Sequence, residues 1–520
     1  MTVTGDALPW RTALRQLLAV GAASLVFASA GALLVWPAAA LPRLLEDSEG
    51  AGEEEEEAAA GLRLTAAQGG WVVAALHAGQ VAGAAPGGLL AARVGRRRAL
   101  LACAPAMLLA WLATAWAGAA WALLAARALG GVAVGVAFAA GPLYAAEATS
   151  ARLRGAAGAL PQLALSAGQL LAYCGGAWLS LRALALVAAA LPVAFFGAFY
   201  AAPESPHWLL RAGRREDAAR ALRRLRGSGA AQEELDAELD AIEAFACAES
   251  AEGAPSGAWG EMRALFVDAA VRRALWIVLG MVGLQCMCGY TAFLAYSTVI
   301  FQESGDALDA NHSGIVVGVI LLVMCLISPV VVDRAGRRFC LLVSCSVAAV
   351  ALLIEGGYFY AAERQLALAD AVYWLPVVAL VAFFIAFTLG LGPLPTTVAG
   401  ELFPAHARGA AGTLVSVAIG AGGFGAAKLY QVVTDAWGFH VTMWMFGSVC
   451  VVGVWFSLAV LPETRGHSFQ EIQQMLVAAA MEGDALGKKP SVTASISPAA
   501  APGDASAAKT TGEKTAHEVV

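Results

Sequence analysis

Residues 147–158 read EATSARLRGAAG and residues 401–412 read ELFPAHARGAAG. In each stretch a Glu stands seven residues ahead of an Arg-Gly-Ala-Ala-Gly run, and both features recur at one offset of 254 positions, 147 to 401 and 154 to 408. The surroundings repeat as well. Val94-Gly95-Arg96-Arg97 returns as Ala335-Gly336-Arg337-Arg338, and Pro203-Glu204-Ser205-Pro206 is echoed by Pro462-Glu463-Thr464-Arg465. A repeat of that period in 520 residues divides the chain into two halves of the same plan.

What fills the halves is apolar. With 59% hydrophobic and 14% charged residues and a mean hydropathy of +0.68, lipid must be the solvent for most of the chain. A crossing needs roughly 20 mainly apolar residues. Such runs lie near 14–40, 66–92, 99–117, 121–146, 156–180 and 184–202, then near 273–301, 313–332, 339–361, 372–400, 410–431 and 439–461. The reading is an all-α membrane protein with twelve transmembrane helices in two pseudo-symmetric six-helix bundles, residues 1–202 and 271–467. The first run follows Arg11 and Arg15 and ends in Ala38-Ala39-Ala40, as a signal peptide does, but it is too long for one and reads as a span. Residues 203–270 form a cytoplasmic linker: Glu216 to Leu225 is Arg-rich and helical in propensity, and Glu233 to Phe245 places Leu235, Leu239 and Ile242 on one face. Residues 468–520 become too poor in bulky apolar side chains to fold and are expected to be mostly disordered.

Charge gives the orientation. The net charge of −6 is skewed by the acidic patch Glu46 to Glu57. Basic residues fall on alternate joints, at Arg93 with Arg96 to Arg98, Arg152 with Arg154, Arg211 to Arg226, Arg334 with Arg337 and Arg338, and Arg408. Short cytoplasmic loops carry such an excess, so both termini are expected in the cytoplasm. Asn311-His312-Ser313 then falls on the outer side as a glycosylation sequon. The nine cysteines show no metal-type CxxC spacing and read as packed thiols. The Gly-rich helices lack the Lys-Ser or Lys-Thr ending of a P-loop, so no nucleotide or other cofactor, no metal, no catalytic set and no nucleic-acid partner is expected.

The ordered set GRR, E-x6-RG, PESP, DRAGRR, E-x6-RG and PETRG resembles the sugar porters of the major facilitator superfamily, the facilitative glucose and insect trehalose transporter group, over about residues 10 to 475. Trp36-Pro37, PESPHWL from Pro203, Gly400-Glu401-Leu402-Phe403-Pro404 and Lys428 fit the trehalose-type members. The resemblance implies two bundles around a central cavity, alternating access, and facilitated diffusion of a sugar of the trehalose or hexose class. Gln162 and Gln285 match family sugar contacts, and an amide both donates and accepts, as a hydroxyl does. Thr291 and Thr396 stand at the positions of a family Asn and Trp and complete the candidate substrate set. Cys286, Leu321 and Ile419-Gly420 are further departures toward lower polarity. A less polar solute, proton coupling, and a non-transporting solute sensor therefore stay open beside sugar uniport. Uniport is favoured because no Asp or Glu lies between Arg15 and Pro42, although His77 and Glu355 are titratable and lie in spans.

Each repeated Glu ends a span on the basic side and each repeated Arg opens the next. Arginine's planar fork can hold a carboxylate in two parallel bonds. Arg96, Arg97, Glu147, Arg154 and Glu204 in the first half, with Asp333, Arg337, Arg338, Glu401, Arg408 and Glu463 in the second, are read as a conformational latch that holds the two halves together on that face and opens when the carrier turns inward. Ordinary positive-inside flanking is the alternative for any one cluster; matched clusters in both halves favour the latch. His77 reads first as a packing residue, and Arg127 and Lys428 as snorkelling or substrate-facing. The protein is expected to work as a monomer in the plasma membrane.

Overall fold

The structure is a computed structural model that describes residues 10–45, 62–150, 152–227, 232–251, 258–303, 310–366 and 371–463, with 465, 471 and 474–475. The acidic patch and nearly all of the predicted tail lie outside the described residues, as do the side chains of Arg154 and Asn311. The chain is all-α. Helices α1 (Trp10–Leu44), α2 (Ala66–Val94), α3 (Arg96–Leu101), α4 (Cys103–Ala115), α5 (Ala120–Ala148), α6 (Arg154–Trp178) and α7 (Leu181–Tyr200) come first. Four follow outside the spans: α8 (Pro206–Arg211), α9 (Arg215–Arg226), α10 (Gln232–Ala251) and α11 (Ala258–Val267). Then come α12 (Ala269–Met287), α13 (Tyr290–Glu303), α14 (Ala310–Ala335), α15 (Arg337–Glu363), α16 (Leu375–Ala386), α17 (Leu394–Leu402) and α18 (Ala405–Ala459). Inside α18 the chain turns at Gly438, φ +85°.

Among the described residues nine helical segments are long and apolar enough to cross a bilayer. Helices α2 and α6 are as long, at 29 and 25 residues, but carry more Gly and Gln. Both meet the other half, α2 on α18 and α6 on α14, as does α1 on α13. Within the first half α2 crosses α5 at glycine level, where a Cβ on Gly87 would come within 2.7 Å of the Val136 Cα. Backbones that close need small residues. The linker has its own small core of Trp208, Leu209, Ala218, Ala221, Leu222, Leu235 and Leu239.

Arg127 differs from the expectation of a snorkelling or solute-facing residue. Only 1% of it is exposed. Its Nη1 donates to the Leu33 carbonyl at 2.6 Å and its Nε to Val72 at 3.3 Å, with the guanidinium 5.7 Å from the Trp36 ring. The side chain points into the bundle and ties α1, α2 and α5 together, because two carbonyls there take up donors that would otherwise need water.

Two spans are broken. Between α12 and α13 the chain turns at Gly289, φ +91°. Between α16 and α17 a π-helical turn, Phe387–Leu391, leads into Gly392 and Pro393. Proline has no N–H, so the carbonyl four residues earlier, Leu389, loses its helical donor; the Ser328 hydroxyl donates to it at 3.2 Å. The Tyr290 ring stacks on Phe387 at 3.7 Å and 5°, joining the two breaks. At Gly289 a Cβ would also sit 2.7 to 2.9 Å from the Phe293 and Phe446 rings. Gly289→Ala is expected to lower stability by about 1–2 kcal/mol from the left-handed backbone alone. Thermal unfolding in detergent checks this; an unchanged midpoint would contradict it.

Candidate functional site

Four polar side chains lie along one stripe of α6, Gln162, Ser166, Gln169 and Tyr173, at helical spacings of four, three and four. The stripe faces the second half. Ser166 shares a hydrogen bond with Cys325 of α14. Gln169 Nε2 and the Tyr290 hydroxyl are 3.2 Å apart, and the Tyr173 hydroxyl donates to the Leu294 carbonyl and meets Ser297 Oγ, both at 3.2 Å. Exposure falls along the stripe: Gln162 is exposed, whereas Ser166, Gln169 and Tyr173 are 1%, 0% and 4% exposed. Along α6 the seam is thus open at the end carrying Gln162 and sealed toward the other, whereas α2 and α18 meet near the basic joints as well, where a Cβ on Gly88 would come 2.2 Å from the Thr413 hydroxyl.

On the facing side, Gln285 of α12 is half-buried. Its Nε2 donates to the Gly392 carbonyl at 2.8 Å, satisfying backbone freed by the break, while its Oε1 is buried without a partner among the described residues. Gln169 Oε1 is in the same condition. Buried unpaired acceptors are costly, and a solute hydroxyl would satisfy both. Thr291 is half-buried beside Tyr290. Thr396 is exposed, its hydroxyl donating to the Pro393 carbonyl at 3.0 Å. Cys286 and Leu321 are buried, at 4% and 2%, and Cys286 Sγ donates to the Ile419 carbonyl at 3.7 Å. Gln169, Tyr173 and Tyr290 were absent from the sequence-based set. The signal for the first two was their spacing from Gln162.

His77 and Glu355 stand apart from the stripe. His77 is buried, with Nδ1 3.4 Å from Gln80 Oε1, and a Cβ on Gly423 of α18 would reach its ring at 2.7 Å. That is the geometry of a residue packed between helices. Glu355 on α15 is fully buried with neither oxygen partnered among the described residues.

The repeated charges form two clusters of one design. Arg96 donates to Glu147 through Nε and Nη2 at 3.0 and 3.1 Å, and Arg337 to Glu401 at 3.2 and 2.8 Å. Glu204 accepts the backbone N–H of Arg97 at 2.9 Å; Glu463 accepts those of Arg337 and Arg338 at 3.0 and 3.2 Å. Each carboxylate thereby caps a helix start, where free N–H groups and the helix dipole favour negative charge. Gly95 and Gly336 make the approach possible with φ of +106° and +97°, and a Cβ on Gly336 would lie 2.8 Å from Glu463 Oε2. Arg97 and Arg338 each donate to the end of the last span of their half, at Tyr200 and Leu458. Asp333 accepts from Arg337 at 3.0 Å, and Ser205, the neighbour of Glu204, donates to Glu147 at 2.5 Å. Arg408 Nε donates to the Phe403 carbonyl at 3.0 Å. Each of these bonds lies within one half, and none of them joins the two halves as the expected latch would.

The sugar (and other) transporter profile matches residues 35–476, most of the chain. The chain belongs to that family. It is a multi-spanning member of the sugar-porter family of the major facilitator superfamily. It is 32% identical over 416 residues to the facilitated trehalose transporter Tret1 of Aedes aegypti, covering 80% of this chain and 50% of that protein. It is also 32% identical over 415 residues to Tret1 of Culex quinquefasciatus, covering 80% and 78%. The chain spans about half the length of the Aedes aegypti and Anopheles gambiae relatives it matches. The proton:xylose symporter XylE bound to 6-bromo-6-deoxy-D-glucose superposes with a TM-score of 0.70 at 22% identity, over 90% of this chain and 99% of that one. A partially occluded inward-open form of XylE from E. coli gives 0.69 at 21% identity, over 88% and 100%.

The pairing in the second cluster is testable. Arg337 and Glu401 are half-buried, at 14% and 26% exposed, and a hydrogen bond to a charged partner contributes about 1.5–3 kcal/mol. Arg337→Glu and Glu401→Arg should each abolish most activity in surface-expressed protein, and the double swap should recover part of it. Equal loss in all three would contradict the pairing.

Proposed function

We propose that the protein carries a sugar of the trehalose or hexose class across the membrane by facilitated diffusion with alternating access. The observation that carries the reading is the α6 stripe together with Gln285 of α12: Gln169 and Gln285 hold buried amide oxygens without a partner among the described residues, and exposed Gln162 stands at the open end of α6. Each offers the mixed donor and acceptor character a polyol needs. The names of the trehalose-transporter relatives support the solute class. In this reading Gln162, Gln169 and Gln285 hold the solute, with Thr291, Thr396 and Tyr290 around them.

The same reading takes residues 1–202 and 271–467 as the two moving bundles, 203–270 as a linker on the cytoplasmic face and 468–520 as a tail. Both termini lie in the cytoplasm, the membrane is the plasma membrane, the working unit is the monomer, and Asn311 is a glycosylation site. The charge clusters act inside their own halves rather than as a latch between them: each stiffens one half at the basic face, so that the halves rock as bodies. A leaner solute site is the second reading, and Leu321 and Cys286, buried where the family places amides, favour it.

Gln162→Leu and Gln169→Leu should each raise the half-saturation concentration for sugar uptake in proteoliposomes, because an unpaired hydroxyl in a desolvated site costs about 1–3 kcal/mol, roughly 5- to 150-fold. Saturable uptake indifferent to both substitutions would overturn the site. Uptake should also be unchanged by a proton ionophore, since α1 carries no carboxylate between Arg15 and Pro42. Collapse of uptake with the proton gradient would replace uniport by coupling.

A further inference from the structure

At the end of the seam remote from the basic joints, α2 begins and the first arm of α18 finishes. Here Lys428 is half-buried. Its Nζ lies 4.0 Å above the Trp71 ring and donates to Gln431 Oε1 at 3.0 Å. Gln431 Nε2 in turn donates to the Ala66 carbonyl at 2.8 Å, and a Cβ at Gly70 would fall on the Gln431 amide. Trp71 also meets the Phe424 ring at 6.1 Å. Each of these contacts joins one half to the other or orders a group that does. At the same end Tyr173 seals the second pair of seam helices through Leu294 and Ser297.

We propose that Trp71, Lys428 and Gln431 form the closing contact of the carrier on the side opposite the basic joints, and that it parts when that side opens. The proposal rests on the alternating-access reading above. The contact has the strength such a device needs. A half-exposed cation over an indole is worth about 2- to 5-fold in an equilibrium constant, enough to bias the closed form without locking it. The amide of Gln431 sets the geometry: it holds the ammonium on one oxygen and anchors itself to the first turn of α2 through its nitrogen. With Ala at position 431 the ammonium would lose its second partner, and with any side chain larger than hydrogen at position 70 the amide would be displaced.

The test reads opening directly. Ser297 is fully buried at this closed end, so Ser297→Cys reports opening through the rate of labelling by a membrane-impermeant maleimide applied from that side to the full chain in membranes, after subtracting the labelling of the parent. Lys428→Met and Trp71→Leu should each raise that rate about 2- to 5-fold, and the double variant should add nothing further, because both remove one contact. Lys428→Arg and Trp71→Tyr, which keep a cation over an aromatic face, should stay below that rise. Unchanged labelling in Lys428→Met and Trp71→Leu, or an equal rise in the Met and Arg variants, would overturn the proposal. Labelling needs no solute. Saturable sugar uptake without the labelling response therefore removes the closing contact alone, and the labelling response without uptake of any sugar removes the transport reading while keeping the contact.

Discussion

In a bilayer every backbone N–H and C=O must find its partner inside the protein, and the structure is organised by where that rule is strained. Most spans meet it by unbroken helix. The second half departs from it at Gly289 and across the π-helical turn before Pro393, and there side chains take over the backbone's bonds. Ser328 serves Leu389 and Gln285 serves Gly392. Breaks of this kind are tolerated only where they are buried in protein or line a cavity. Here they lie across from the polar stripe of α6, and one gives Tyr290 both its stack on Phe387 and its contact with Gln169.

A second constraint is rigidity. The breaks soften spans of the second half near the seam, yet alternating access asks each half to move as a body. The paired clusters supply stiffness at the basic face: Arg96 with Glu147 and Arg337 with Glu401 join neighbouring spans, while Glu204 and Glu463 tie the last span of each half to a helix start. Arg127 does the same work deeper in the first half.

Much of this was legible in the sequence because hydropathy and repetition are strong signals. The run read at 66–92 is Ala66–Val94, and that at 184–202 is Leu181–Tyr200. The linker helices appear with Leu235 and Leu239 buried. The matched clusters were visible at their 254-residue offset, but not which carboxylate meets which arginine: Glu147 meets Arg96, 51 positions away, and spacing along a chain does not encode contacts between spans. Gln169 was overlooked although it stands seven residues from Gln162 on the same helix face; a Gln among apolar residues acquires meaning only when the facing helix is known. The burial of Arg127 was hidden for the same reason, since its partners are backbone carbonyls, and these leave no trace in residue identity.

The central claim is that the polar seam presents a solute site to each side of the membrane in turn. Counterflow addresses it most directly. Proteoliposomes holding the purified chain, preloaded with unlabelled sugar and diluted into a trace of labelled sugar with no other gradient, should show a transient accumulation of label inside above its outside concentration. Folded, correctly inserted protein that gives no such overshoot for any mono- or disaccharide would contradict the account.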